Sequence, residues 1–206
     1  MQTLYIHPDN PQPRLISQVV DALNQDQLIV YPTDTSYAFG CKIGSKNAIE
    51  KLRLIRQLDH KHQFTLLCRD LSEIATYATV DNKQFKLLKA TTPAPITFIL
   101  DATKDVPKKL SHPKKKTIGI RVPSNPISQM ILEAMGEPIL TSSLILPDMQ
   151  LALDDPFDIE EKLGNNIDIM INAGVLTTKL TTIVDMTVFP PELVRQGAGD
   201  ASQIID

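Results

Sequence analysis

Fifteen prolines, from Pro8 to Pro191, divide the 206 residues into short segments. Proline lacks a backbone donor and breaks the interior of a helix or a central strand. A bundle of long helices is therefore excluded. Between the prolines lie compact apolar runs: Leu4–His7, Leu28–Tyr31, Phe64–Cys68, Ile96–Leu100, Ile139–Ser142 and Ile167–Ile171. Runs this short, bounded by turn residues, read as strands. Thr117–Val122 alternates polar with apolar, as a half-buried strand does, and Thr181–Met186 and Leu193–Arg195 complete the set.

Helical spacing marks Arg14–Leu23, where Leu15, Val19 and Ala22 recur on one side, and Lys46–Gln57, where Ala48, Leu52 and Ile55 do and Ser45 supplies an N-cap. Leu71–Ala78, Asn82–Lys89, Pro126–Met135 (closed by Gly136) and Ile159–Leu163 read as further helices. Thr33–Gly40 reads as a loop, with Gly40 serving a tight turn. Strands and helices interleave without strict alternation, which predicts an α/β fold on a mixed sheet.

The formal net charge of −3 conceals a split. Residues 1–147 carry 18 Lys and Arg against 13 Asp and Glu, and residues 148–206 carry 3 against 11. Lys104 to Arg121 holds seven basic residues and one acid, Asp105. An anionic partner is therefore expected for the first three-quarters of the chain. Hydrophobic residues form 42% and charged residues 22%, a globular balance. No apolar run reaches the length of a membrane span, and a cytoplasmic location without a membrane partner is expected.

Familiar nucleotide motifs are absent. The chain has no G-x-x-x-x-G-K-[ST], no G-x-G-x-x-G and no G-x-S-x-G. His60-x-His62 offers two nitrogens, but a metal needs three or four ligands, so no metal site is assigned and the pair reads as exposed loop histidines. Cys41 and Cys68 read as small buried apolar residues. Three polar segments each adjoin an apolar strand: Thr33–Tyr37, Thr117–Arg121 and Thr141–Ser143. Loops at strand ends are where α/β proteins hold small ligands, and hydroxyls with arginine suit carboxylate and phosphate oxygens.

Taken together, these segments resemble the YrdC-like family, which includes L-threonylcarbamoyl-AMP synthases. The anchors are Tyr31-Pro32-Thr33-Asp34-Thr35-Ser36-Tyr37-Ala38-Phe39-Gly40, Thr117–Pro123, Pro138–Ser143, Thr181–Asp185 and Val194-Arg195-Gln196-Gly197. Tyr5–Pro11, Ile55–Leu58 and Phe64–Asp70 are similar to the YciO branch. The resemblance implies one YrdC-like domain over residues 1–206, a twisted mixed sheet with flanking helices around a basic concave cavity. It implies condensation of L-threonine, bicarbonate and ATP with Mg²⁺ into threonylcarbamoyl-AMP and pyrophosphate, for tRNA modification. It also implies a second, non-catalytic role in binding double-stranded RNA or nucleotides.

By position, the resemblance implies that Thr33 or Thr35, together with Arg121, holds threonine, and that Thr117, Ser143 and Arg195 lie near the nucleotide, with Thr182 facing the cavity. Arg56 and Ser143 take the catalytic positions, and Lys108, Lys109, Lys114, Lys115 and Lys116 are the candidate RNA contacts. Two positions depart from the synthase pattern. The synthase K-x-R stands here as Arg56-Gln57-Leu58, and S-x-N as Ser143-Leu144-Ile145. A triphosphate losing pyrophosphate needs donors where charge develops, each worth about 3–4 kcal/mol. The two departures therefore predict weak or altered turnover unless Lys42, Lys46, Arg53 or Arg69 compensates.

Overall fold

The computed structural model describes residues 1–59 and 62–205. The elements run β1 (Gln2–Tyr5), α1 (Pro13–Asn24), β2 (Ile29–Pro32), β3 (Tyr37–Lys42), α2 (Lys46–Arg56), β4 (Thr65–Leu67), α3 (Leu71–Tyr77), β5 (Ala78–Thr79), α4 (Asn82–Thr91) and β6 (Ile96–Ala102). They continue β7 (Thr117–Arg121), α5 (Pro126–Met135), β8 (Ile139–Ser143), α6 (Pro156–Leu163), β9 (Ile169–Asn172), β10 (Thr182–Asp185) and β11 (Glu192–Arg195). The strands form one sheet in the order β1-β9-β2-β3-β8-β4-β7-β6-β10-β11, with β5 paired to β6. Parallel pairs (β1 with β9, β4 with β7, β6 with β10) sit among antiparallel ones. The α/β architecture on a mixed sheet is as the sequence predicts.

The helices begin and end where local chemistry directs. Ser45 Oγ accepts from the Ala48 amide at the start of α2, and Asp81 with Gln84 forms a reciprocal cap on α4. Asn125 caps α5, with Pro126 in its first turn and Gly136 in left-handed backbone (φ 69) at its end.

One segment differs from expectation. Tyr37–Lys42 is a strand, not part of a loop, and it makes a hairpin with β2 and pairs with β8. Five of its six residues are buried, so it lies inside the sheet and shows no alternation to read. Gly40 consequently lies mid-strand and not in a turn. Its lack of a side chain admits the Tyr31 ring, which a Cβ there would meet at 2.8 Å.

Two apolar cores occupy opposite faces of the sheet. On one face α1 (Ile16, Val19, Leu23) and α5 (Ile127, Ile131, Leu132) cover Ile29, Tyr31, Ile169 and Ile171. On the other, α2, α3, α4 and α6 contribute Leu52, Ile74, Leu88 and Ile159 against Phe39, Leu66, Phe98, Ile120 and Leu140. The α1/α5 face is covered at the β1 end of the sheet; towards β6, β7 and β10 that face opens into a cavity. No helix among the described residues is long and apolar enough to cross a membrane.

Candidate functional site

The register places a row of small and polar residues on one surface. Directly paired residues share a face, and Gly40 pairs with Thr141, Thr141 with Thr65, Thr65 with Gly119 and Gly119 with Ile99. Two residues along, Ala38 pairs with Ser143 and Thr97 with Ile183. This surface floors a cavity of ≈ 170 Å³. Gly119 is needed there, since a Cβ would come within 2.6 Å of Thr65 Oγ1.

The β2–β3 turn closes one side. Thr33 Oγ1 donates to the Ser36 carbonyl (2.7 Å) and lies 3.0 Å from Thr35 Oγ1. The turn is braced from α5, where Ser128 Oγ donates to the Pro32 carbonyl (2.8 Å). Asp34 forms a buried ion pair with Arg121 Nη2 and accepts from the Ser124 amide and hydroxyl. Arg121 Nη2 also reaches Thr35 Oγ1 (3.4 Å). Its Nε is buried without a hydrogen-bond partner among the described residues. A buried unsatisfied donor costs about 1–3 kcal/mol; here it belongs to a residue that lines a cavity.

Opposite, Arg195 donates from Nε and Nη2 to the Thr181 carbonyl (3.1 and 2.8 Å), and Thr97 and Thr181 share a 3.1 Å hydroxyl contact. Arg56, the last residue of α2, donates from Nε to the Ile145 carbonyl (2.9 Å) and from Nη1 to Ser142 Oγ. Burial lowers the pKa of both Arg56 and Arg195 from the ordinary guanidinium value. Among the described residues, nine hydroxyl side chains and three arginines line the cavity, and no carboxylate does. This donor set suits anion oxygens rather than a divalent cation. No cluster of three or more His, Cys, Asp or Glu able to hold a metal occurs among the described residues.

Of the sequence-selected residues, the fold brings together Thr33, Thr35, Arg56, Arg121, Ser143 and Arg195. Two stand outside the lining. Thr117 is buried and its hydroxyl accepts from Gln63 Nε2 (3.1 Å). Thr182 turns inward, donating to the Gly199 carbonyl (2.6 Å) and accepting from the Gly197 amide (3.0 Å). Its neighbour Thr181 lines the cavity instead. Lys108, Lys109, Lys114, Lys115 and Lys116 are exposed on the β6–β7 loop and do not line the cavity. That loop is anchored by buried Val106 and Leu110.

Sequence reasoning missed Thr65, Thr97 and His62 as cavity residues, and held Ser142 only as part of the Thr141–Ser143 segment. Thr65 and Thr97 had a signal, since each is a hydroxyl in an apolar run. His62 is half-buried, not an exposed loop residue, and His60 lies outside the described residues. Burial, then the charges of Arg56 and Arg53, pull the His62 pKa down to about 4. Leu58 packs against the apolar core, while Ile145 lines the cavity. None of Lys42, Lys46, Arg53 and Arg69 lines it. Cys41 and Cys68 are buried and free, and burial raises both thiols, Cys41 to about 12.

Over residues 21–197 the chain matches the Sua5/YciO/YrdC family model, described as telomere recombination. It is 52% identical over 204 residues to YciO of Escherichia coli K12, covering 99% of both chains. The crystal structure of E. coli YciO superposes with a TM-score of 0.96 over 99% of each chain. A threonylcarbamoyl-AMP synthase of Histophilus somni is 26% identical over 185 residues, 88% of this chain and 99% of that one. Sua5 of P. abyssi, crystallised in complex with L-threonine, is 20% identical with a TM-score of 0.86 over 96% of this chain and 58% of that one. At that identity the likeness is one of fold.

Proposed function

The chain belongs to the Sua5/YciO/YrdC family, in its YciO branch, and from that premise we propose that its cavity binds a nucleotide with an L-threonine-like amino acid. The reaction is formation of a threonylcarbamoyl-adenylate, weaker than in the synthases or altered in substrate. The observation that carries this reading is the buried Nε of Arg121, without a partner among the described residues, in a cavity that these residues line with arginines and hydroxyls and no carboxylate. A ligand carboxylate there satisfies a donor that the protein leaves open.

In this reading the amino nitrogen bonds to the bicarbonate carbon, and one bicarbonate oxygen leaves as water with the proton that the nitrogen loses. The resulting carbamate oxygen attacks the α-phosphorus of ATP, and pyrophosphate leaves with the electron pair of the broken P–O bond. The chain's own residues act by placement. Arg121 and the Thr33–Thr35 turn orient the amino acid, while Ser143, Arg195 and Arg56 face the phosphates. ATP enters with Mg²⁺ as its counter-ion, which offsets phosphate charge.

Two features support reduced turnover. Arg56 already spends two donors on the wall, at Ile145 and Ser142, and the side chains at Leu58 and Ile145 supply no polar contact. Purified protein given threonine, bicarbonate and ATP is expected to release pyrophosphate slowly, and the Arg121→Ala/Ser143→Ala double variant is expected to release none. Equal release by both proteins removes the reading.

A second reading is favoured by one observation: the six lysines between Lys104 and Lys116 are all exposed on the β6–β7 loop, apart from the cavity. Such a loop suits the phosphates of duplex RNA, contacted through shape and charge. Binding of duplex RNA is expected to weaken steeply with salt and to be lost in the Lys114→Glu/Lys115→Glu/Lys116→Glu variant. Unchanged binding by that variant ends this reading.

A further inference from the structure

The loss of a fixed cation at Leu58 raises the question of what else in the cavity can carry positive charge. The four cations that the sequence offers as substitutes do not line it. One titratable side chain beside Arg56 does. His62 lies in the segment leading into β4, with its ring edge-on to Phe64 (centroids 5.1 Å apart, planes at 79°). Arg53 stacks over the same Phe64 ring at 4.9 Å and donates to the Asp59 carbonyl (2.8 Å), to which the His62 amide also donates (3.3 Å). Phe64 thus fixes the imidazole from one side, and the cavity lies on another.

The charged surroundings of this ring are one-sided. From α2, Arg53 and Arg56 act on it, and among the described residues of its own loop Asp59 opposes them. Across the cavity stand Arg121, already paired with Asp34, and Arg195. Desolvation and two guanidinium groups disfavour the charged imidazole. An anion beside Arg56 opposes this balance, because its charge offsets the arginines and it offers the ring an acceptor.

We propose that His62 is a proton-dependent anion ligand: when a tetrahedral oxyanion such as a phosphate group occupies the cavity beside Arg56, the imidazole takes one proton from solvent and donates an N–H···O hydrogen bond to it. His62 so replaces, conditionally, the permanent charge missing at Leu58. The proposal rests on the reading of the cavity as an anion site. It adds that occupancy and proton uptake are linked. By reciprocity, acidification tightens binding as long as the free protein is neutral at His62 and the complex is charged.

Sulfate is the suitable probe, since its own charge is constant between about pH 5 and about pH 8. Calorimetric titration in buffers of unlike ionisation enthalpy is expected to show net proton uptake and up to about tenfold tighter binding per pH unit over the lower part of that range. The His62→Gln and His62→Asn variants are expected to bind sulfate at about pH 8 and to lose the pH slope. In the wild-type protein, the His62 ring carbon–proton NMR resonance is expected to titrate at higher pH with sulfate than without, a readout independent of either variant's folding. Sulfate binding with no proton uptake, a pH slope kept by both variants, or an unmoved His62 titration overturns the role of His62 and leaves the anion site standing. Failure of both sulfate and ATP to bind at every pH overturns the two together.

Discussion

The central strands β4, β6, β7 and β8 present Leu66, Phe98, Leu100, Ile118, Ile120 and Leu140 to one side and Thr65, Thr97, Gly119, Arg121 and Thr141 to the other. The same backbone, with its period of two, therefore serves a dry core and a polar cavity floor. On the first side packing is volumetric, and helices α2, α3 and α4 seal it. On the second, every buried hydroxyl must find a partner. Thr141 shares a 2.6 Å bond with Tyr31 and Thr97 a 3.1 Å bond with Thr181. At these central strands apolar packing thus lies on one face and ligand chemistry on the other, separated by one sheet's thickness.

That division is open to four tests. The largest effect is expected from Phe98→Ala, which deletes a fully buried ring from the apolar side. A loss of about 3–5 kcal/mol in denaturant unfolding is expected, with sulfate affinity nearly unchanged in the protein that remains folded. A large change in affinity breaks the separation of the faces.

Asp34→Ala acts on the polar side and is expected to move two quantities in opposite directions. Removing one partner of the buried Arg121 pair lowers stability by about 3 kcal/mol, while the added net positive charge tightens sulfate binding. Weaker binding instead shows that Asp34 holds Arg121 in its binding posture and that charge is secondary. Gly119→Ala places a Cβ within 2.6 Å of Thr65 Oγ1 and 3.2 Å of the Phe64 carbonyl. It is expected to cost about 1–3 kcal/mol by overpacking, and Thr65→Ala in the same chain to recover part of that.

The last effect is one of pH. The pKa of His62 is held down to about 4 in the folded chain, first by burial and then by Arg56 and Arg53, whereas an unfolded histidine titrates near about 6.5. Between these values the unfolded chain binds a proton that the folded chain does not. Stability from this group is therefore full above the unfolded value and declines as pH falls from about 6.5 to about 4. Melting temperatures across that window are expected to fall less for His62→Gln than for the wild type, and sulfate is expected to flatten the wild-type slope.

The two faces were unequally legible. Strands whose polar and apolar residues alternate, such as Thr117-Ile118-Gly119-Ile120-Arg121, declare both surfaces at once. Helices α2 and α5 were readable to within a residue because Ser45, Pro126 and Gly136 act locally. β3 was not, because a strand buried on both sides loses its period, and Gly40 mimics a turn residue while making room for Tyr31. In the site, Thr33, Thr35, Arg121 and Arg195 followed from family-like segments. Thr181 and Thr182 could not be ordered, since a one-residue shift exchanges the cavity for the interior and depends on the Gly197 and Gly199 backbone that captures Thr182. His62 gave no local signal, as its position depends on α2 arriving beside it.

The cavity's walls come from distant parts of the chain. Tyr31 meets Thr141 across 110 residues, Arg56 meets Ser142 across 86 and Thr97 meets Thr181 across 84. Closing such long loops is slow relative to forming helices. Helical structure should therefore return early in refolding and the ability to hold an anion last, which makes ligand capture a late kinetic milestone: a chain that binds is a chain that has finished folding.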